Sequence, residues 1–234
     1  MPIVNACDAK LERDRLLVVI ATIVINVIAV CLLTLVPWSD WRTGTALNFL
    51  DNCLLVVFVV VRRDALLARF LLFGIVVGFT ELAADAWLVD YTRTLDYSIG
   101  GGPMIWCSPV WMPLAWEVVA VQFGYLGLLL WERFGRIGLL VIGLLGAINI
   151  PFYEEMARRI QWWQYIGCRI ISFTPWYIIL GEFGIAIAFA LLARTLRSGS
   201  WRVAALAGAV GGLSIFACYA VAFLITDRLI TQAK

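Results

Sequence analysis

The sequence predicts an all-α fold, a polytopic membrane protein with seven transmembrane helices. Composition is the first reason: of 234 residues, 63% are hydrophobic and 15% charged, whereas a soluble domain is about 45–50% apolar and ~25% charged. Mean hydropathy is the second, at +0.93. The third is spacing: apolar runs of about 20 residues, enough to cross a ~30 Å hydrocarbon core, recur with arginines between them. The runs leave no room for a sizeable soluble domain, so 1–234 reads as a single transmembrane domain.

Taken in order, the spans are expected at 16–36, 47–61, 70–89, 106–131, 134–150, 171–193 and 203–226. A charged stretch (Lys10, Glu12, Arg13, Asp14, Arg15) precedes the first span. That span is too long for a signal-peptide core and has no small-residue cleavage site, so it reads as a retained anchor. The second and fifth spans are short, which suits little tilt or a sheltered position. Span seven carries Ala204, Gly208 and Gly212 one turn apart, a spacing that lets helix backbones approach closely. Trp38, Trp41, Trp106, Trp131, Trp162, Trp163 and Trp201 fall at span ends, where an interfacial belt is the default meaning. Trp87, Trp111, Trp116 and Trp176 lie deeper. The N-terminus and even-numbered loops hold 11 Lys and Arg against 7 for the odd-numbered loops and C-terminus. This excess predicts a multi-pass topology with the N-terminus cytoplasmic and the C-terminus extracytoplasmic.

Several chemistries are excluded. Histidine is absent, which removes His-ligated haem, His-rich di-iron sites and histidine base catalysis. The only lysines, Lys10 and Lys234, are terminal, so no helix-interior Schiff base can form. Six cysteines form no CxxC pair, and no metal site or cofactor is expected. Cys107 and Cys168 fall near one predicted face and leave a disulfide open, although small buried apolar cysteines are the plainer reading. The net charge of +2 and the lack of a basic stripe argue against nucleic acid as a partner. The lipid bilayer is the expected surrounding, and a homo-oligomer is permitted.

Two segments echo one another. Cys107-Ser-Pro-Val-Trp-Met-Pro-Leu-Ala-Trp-Glu117 opens span four, and Phe173-Thr-Pro-Trp-Tyr-Ile-Ile-Leu-Gly-Glu182 opens span six. Each has a hydroxyl residue, proline, aromatic residues and then a glutamate. Each follows an acidic helix end and a Trp- and Tyr-rich loop. This suggests a parallel repeat of helix pairs 3–4 and 5–6, with Ser108 and Thr174 as helix caps. Coincidence between two Trp-rich helix starts is the competing reading.

The acids carry the functional expectation. Glu81 and Asp85 lie one turn apart in span three, and Glu117 and Glu182 are expected about 15 Å deep at 1.5 Å per residue. A mid-membrane acid costs roughly 2.5–3.5 kcal/mol and usually faces a bundle interior or wet cavity. Asp51 and Glu155 (or its neighbour Glu154) are expected at the outer rim of the same funnel. With no arginine at that depth, at least one of Glu81, Glu117 and Glu182 is expected to hold its proton. A neutral acid can donate a proton, an ionised neighbour can accept one, and indole faces stabilise cations. Trp87, Trp111, Trp116, Trp176 and Tyr177 are the expected walls. Hydrogen bonding of the acids to Asn26, Gln122 or a hydroxyl, for packing alone, is the alternative reading.

The run from Pro151-Phe-Tyr-Glu-Glu through Trp162-Trp163-Gln-Tyr165 to Thr174-Pro175 and Gly181-Glu182-Phe183 resembles the bacterial carotenoid hydratase and lycopene cyclase pattern. Pro113-Leu-Ala-Trp-Glu117 is similar to a stretch of the fungal membrane-bound meroterpenoid cyclases. The resemblance covers about residues 81–185, and in the fungal family the motif lies on an earlier helix. It implies a small integral-membrane cyclase or hydratase of terpenoid or carotenoid biosynthesis, an isomerase or lyase of isoprenoids, with Glu117 as proton donor. The leading expectation is therefore an enzyme that cyclises, isomerises or hydrates a lipophilic small-molecule substrate, with Glu117 or Glu182 donating the proton and Glu81 and Asp85 accepting it or holding water. A proton- or cation-coupled transporter or channel also fits midplane acids and repeats. A non-catalytic subunit of a membrane complex is the third reading.

Overall fold

In the computed structural model, which describes residues 6–229, seven helices are long and apolar enough to cross a membrane. They are α1 (Ala6–Leu33), α2 (Trp41–Arg62), α3 (Ala65–Ala86), α4 (Met112–Phe134), α5 (Arg136–Ile160), α6 (Trp176–Leu196) and α7 (Trp201–Phe223). The α3 helix continues through a π-helical turn, Trp87–Thr92. Large apolar side chains such as Leu17, Ile28, Val60, Val61, Ile148 and Leu206 face outward. A soluble protein rarely leaves so much contiguous apolar surface bare, so the arrangement is that of a multi-pass membrane protein. Lys234 lies outside the described residues.

Local chemistry explains the helix ends. Asp40 caps α2 by accepting from Arg42 N at 2.8 Å, which starts the helix six residues ahead of the expected span. Asp64 caps α3, accepting from the backbone N–H groups of Leu66 and Leu67 at 3.0 Å. Span five was expected to end at 150, yet α5 runs through Pro151 to Ile160. Proline removes one backbone donor and does not by itself end a helix packed against neighbours. Span four was expected from 106, but α4 starts at Met112 because 104–109 folds into a hairpin.

The echo is structural. After α3, β1 (Leu95–Asp96) is followed by the hairpin of β2 (Met104–Ile105) and β3 (Ser108–Pro109). After α5, β4 (Gln164–Tyr165) is followed by the hairpin of β5 (Ile170–Ile171) and β6 (Thr174–Pro175). The two halves join where β1 pairs antiparallel with β4. Left-handed residues recur at matching places: Arg93 and Gln161 just before the first strands, Trp106 and Ser172 at the hairpin turns. Ser108 and Thr174 do not cap helices, contrary to expectation. They sit buried in β3 and β6, because the chain makes its turn before the helix begins.

Glycines set the spacing. A Cβ on Gly208 would meet Phe73 O at 2.6 Å, and one on Gly212 would meet Thr80 Cβ at 2.5 Å, so the predicted small-residue stripe brings α7 onto α3. At the end opposite the hairpins, Phe70, Phe73, Phe189 and Tyr125 pack edge-to-face and are fully buried. Arg15 and Asp64, both buried, join at 2.6 and 3.0 Å there. No disulfide joins Cys107 and Cys168. The Cys107 thiol donates to Asp90 Oδ2 at 3.2 Å.

Two outcomes are expected. Arg15→Met leaves the Asp64 carboxylate buried without its cation and lowers unfolding free energy by about 3–5 kcal/mol, most of it recovered in the Arg15→Met/Asp64→Asn double variant. Thermal unfolding in detergent checks this, and an additive double variant would contradict it. Burial first, then the hydrogen bond to Asp90, pushes the Cys107 thiol up to about 11. A raised thiol is thiolate only above that pH, so alkylation at pH 8 should be on the order of a hundredfold slower than for an ordinary thiol, and Asp90→Asn should speed it. Rates followed by mass spectrometry from pH 7 to 11 check the sign.

Candidate functional site

A cavity of about 160 Å³ lies beneath the hairpins. A water needs about 10–15 Å³ on this scale, so the space holds on the order of ten waters or a sizeable apolar group. Its roof is aromatic: Trp111, Trp162 and Trp163 have ring centroids 5.3–6.2 Å apart, and Tyr97 packs on Trp163 at 6.1 Å. Trp111 seats against Gly44, where a Cβ would lie 2.8 Å from the indole.

Three carboxyl groups line this cavity, Asp85 of α3, Glu154 of α5 and Glu182 of α6. Neutral donors hold each one. Tyr97 Oη and Ser108 Oγ donate to Asp85 Oδ2 at 2.7 and 2.8 Å. Trp163 Nε1 donates to Glu154 Oε2 at 2.6 Å, and Tyr165 Oη to Glu154 Oε1 at 3.1 Å. Tyr219 Oη donates to Glu182 Oε1 at 2.6 Å. The repeat is visible in these bonds: in each half, the acid at a helix end accepts from the strand region that follows, Asp85 from Tyr97 and Ser108, Glu154 from Trp163 and Tyr165. Among the described residues of the wall there is no Lys or Arg.

Burial, followed by the adjacent carboxylates, pushes the Tyr97 and Tyr165 phenols well above their usual range, so both stay protonated as donors. On the outer surface, a bond from Gln164 Nε2 at 2.9 Å, with further bonds from Ser98, holds Asp96 below the usual carboxylate range and ties the β1–β4 seam.

The expected residues divide. Asp85, Glu182, Trp111 and Trp116 line the cavity. Glu117 does not: it is buried on α4, with its backbone against Gly74 of α3. Glu81 does not either. It is fully buried one turn below Asp85, and neither oxygen has a partner among the described residues. Asp51 is buried beside the cavity wall and accepts from Asn26 Nδ2 at 2.5 Å. Tyr177 is fully buried against Thr94, with a 2.7 Å hydroxyl–hydroxyl bond. Trp87 packs among Tyr91, Phe216 and Phe223, and Trp176 is 44% exposed. Glu155 points outward to Arg158 and Arg159, and its neighbour Glu154 takes the cavity position. The acids are also shallower than expected. Glu117 and Glu182 lie five and six residues past the first residues of α4 and α6, about 7–9 Å in, because the hairpins use residues that had been assigned to the spans.

Sequence reasoning left Glu154 as an alternative to Glu155, which it took as the site residue, and missed Tyr97, Tyr165 and Tyr219. One signal was available. Arg158 and Arg159 stand three and four residues after Glu155, so Glu155 can pair with both whereas Glu154 can pair only with Arg158, which favours Glu155 as the outward acid. Asn26 and Gln122 bond to Asp51 and Thr22, not to the acids of the central helices.

Comparison with known proteins gives one family. The domain of unknown function DUF6989 matches residues 82–226. No curated protein and no solved structure gives a match. The matched region holds both hairpins and the three cavity acids, and it leaves α1 and α2 outside. Because it covers more than half of the chain, the protein belongs to the DUF6989 family.

Proposed function

We propose that the cavity is the active site of a cofactor-independent integral-membrane enzyme, which cyclises, isomerises or hydrates a lipophilic, isoprenoid-type substrate by carboxylic-acid protonation. The observation that carries this reading is the meeting of Asp85, Glu154 and Glu182, from three helices, in one aromatic cavity with no basic side chain in its described wall. A cation next to these acids would hold them as inert ion pairs. Neutral phenol and indole donors orient them and leave a proton to give.

Glu182 is the better donor than Glu117, since it lines the cavity and has one oxygen bonded to Tyr219 and the other unclaimed among the described residues. In the proposed step, the Glu182 proton bonds to one carbon of a double bond, or to an epoxide oxygen, and a carbocation forms at the neighbouring carbon. A second double bond attacks that carbon to close a ring, or water adds to it. A proton then leaves to Asp85 or Glu154, so isomerisation is proton-neutral overall and hydration consumes one water. Trp111, Trp162 and Trp163 line the same cavity, and indole faces supply the stabilisation that such a cation needs.

The buried block of Phe70, Phe73 and Phe189 at the other end supports an enzyme over a transporter, because transport needs access from both sides. The Lys and Arg bias supports an extracytoplasmic hairpin end, with the N-terminus cytoplasmic.

The test is product analysis from membranes expressing the protein, supplied with a panel of polyprenyl alkenes and epoxides. Glu182→Gln, Glu154→Gln and Asp85→Asn should each lower turnover by about 10²–10⁴-fold, the usual range for a lost acid or base. Glu155→Gln and Glu117→Gln should stay within about threefold of wild type. Full turnover by Glu182→Gln would end the assignment, and cation flux in proteoliposomes abolished by the same change would favour transport.

A further inference from the structure

Four carboxamides share the cavity wall with the acids: Asn26 of α1, Asn48 of α2, Gln122 of α4 and Asn149 of α5. For three of them the bonding fixes which end of the amide points where. Asn26 Nδ2 donates to Thr22 O at 3.0 Å and to Asp51 Oδ2 at 2.5 Å. Asn48 Nδ2 donates to Gly44 O at 2.9 Å. Gln122 Nε2 donates to Thr22 Oγ1 at 3.0 Å, and that hydroxyl spends its own proton on Val19 O at 2.8 Å. Thr22 O, Gly44 O and the Asp51 carboxylate accept, and the Thr22 hydroxyl, with its proton on Val19 O, accepts as well, so nitrogen occupies each donor position.

The amide oxygens of Asn26, Asn48 and Gln122 are therefore left over. Among the described residues nothing donates to them, and they are not sealed away as Asn52 Oδ1 is. An acceptor in an apolar setting is costly unless something donates to it. The three come from three helices and line the same cavity, so they form a built set and not a single stray group. The surrounding wall is apolar, including Val30, Leu47, Val119 and Ile150.

We propose that these amide oxygens bind the head of the substrate, and that this head is an uncharged hydrogen-bond donor, a hydroxyl, carried on an otherwise apolar chain that reaches the acids. This rests on the reading of the cavity as a substrate site, and it names the substrate class: a lipophilic alcohol whose reacting double bond or epoxide is remote from its hydroxyl. The carbonyl oxygens accept from the hydroxyl, while the acids on α3, α5 and α6 act on the far end of the chain. A metal cation is the poorer occupant, since hard cations take six or more oxygens or keep several waters.

The experiment uses the whole protein in lipid nanodiscs, with geranylgeraniol and its methyl ether as probes. Binding is read from tryptophan fluorescence, since Trp111, Trp116, Trp162 and Trp163 line the cavity. The alcohol should bind about tenfold tighter than the ether, the effect of one good hydrogen bond to an otherwise empty acceptor. Asn48→Leu and Gln122→Met should each erase most of that difference while leaving ether affinity unchanged. Asn48 bonds only within its own helix turn, so its variant is the less exposed to misfolding. Equal affinity of the wild type for the two probes would overturn the proposal. So would failure of both to bind, or a preference that survives both substitutions. Binding is scored without turnover, so a selective protein that converts neither probe keeps this inference and counts only against the acid chemistry.

Discussion

A carboxyl group inside a membrane is costly without a partner, and the carboxyl groups that line the cavity have neutral ones. Asp85, Glu154 and Glu182 receive their hydrogen bonds from tyrosines, a tryptophan and a serine, and Asp51 from an asparagine. The arginines stay near the helix ends, where Arg15 and Arg62 pair with Asp64 and Asp14, and Arg197 with Glu132. Breaking an isolated buried ion pair costs several kcal/mol, and a paired acid is chemically quiet. Holding the acids with phenols and indoles avoids both consequences. The hairpins, the aromatic roof and the close helix packing all serve to bring those donors to those acids.

The repeated helix–strand–hairpin–helix unit is how the chain achieves this. Each unit leaves its helix through β1 or β4, and the aromatic residues in or beside those strands, Tyr97 in one and Trp163 and Tyr165 in the other, reach back to the acid at the end of the helix that precedes them. Pairing β1 with β4 locks the two units together, and the Gln164–Asp96 bond fixes their register. Close backbone approach at Gly78 to Pro113 and at Gly146 to Glu182 draws the helices of each unit tight beneath the hairpins. The cavity then forms between the units, with α1 and α2 adding Asn26 and Asn48 to its wall.

The cavity wall carries two kinds of polar group. Its acids accept hydrogen bonds from neutral donors. Its carboxamides Asn26, Asn48 and Gln122 have nitrogens already committed to Thr22, Asp51 and Gly44. The rest of the wall is mostly apolar and aromatic, and the far end of the bundle is filled by phenylalanine rings. A mostly apolar pocket with a few polar groups suits an apolar molecule that carries a polar head.

Composition and apolar periodicity were enough to determine the seven spans, because a bilayer admits only long apolar helices whose backbone bonds are satisfied internally. The close approach at Gly208 and Gly212, the echo around Ser108-Pro109 and Thr174-Pro175, and the presence of buried acids were legible for the same reason: each is a local pattern with a local cost. The sequence could not say which acids meet. Glu117 and Glu182 look equivalent along the chain, yet only Glu182 turns into the cavity, while Glu154 enters from a helix that runs ten residues past the expected end of its span. Helix rotation, the residues taken up by the hairpins and the β1–β4 pairing decide that. These are contacts between segments about 65–70 residues apart, which no local spacing encodes.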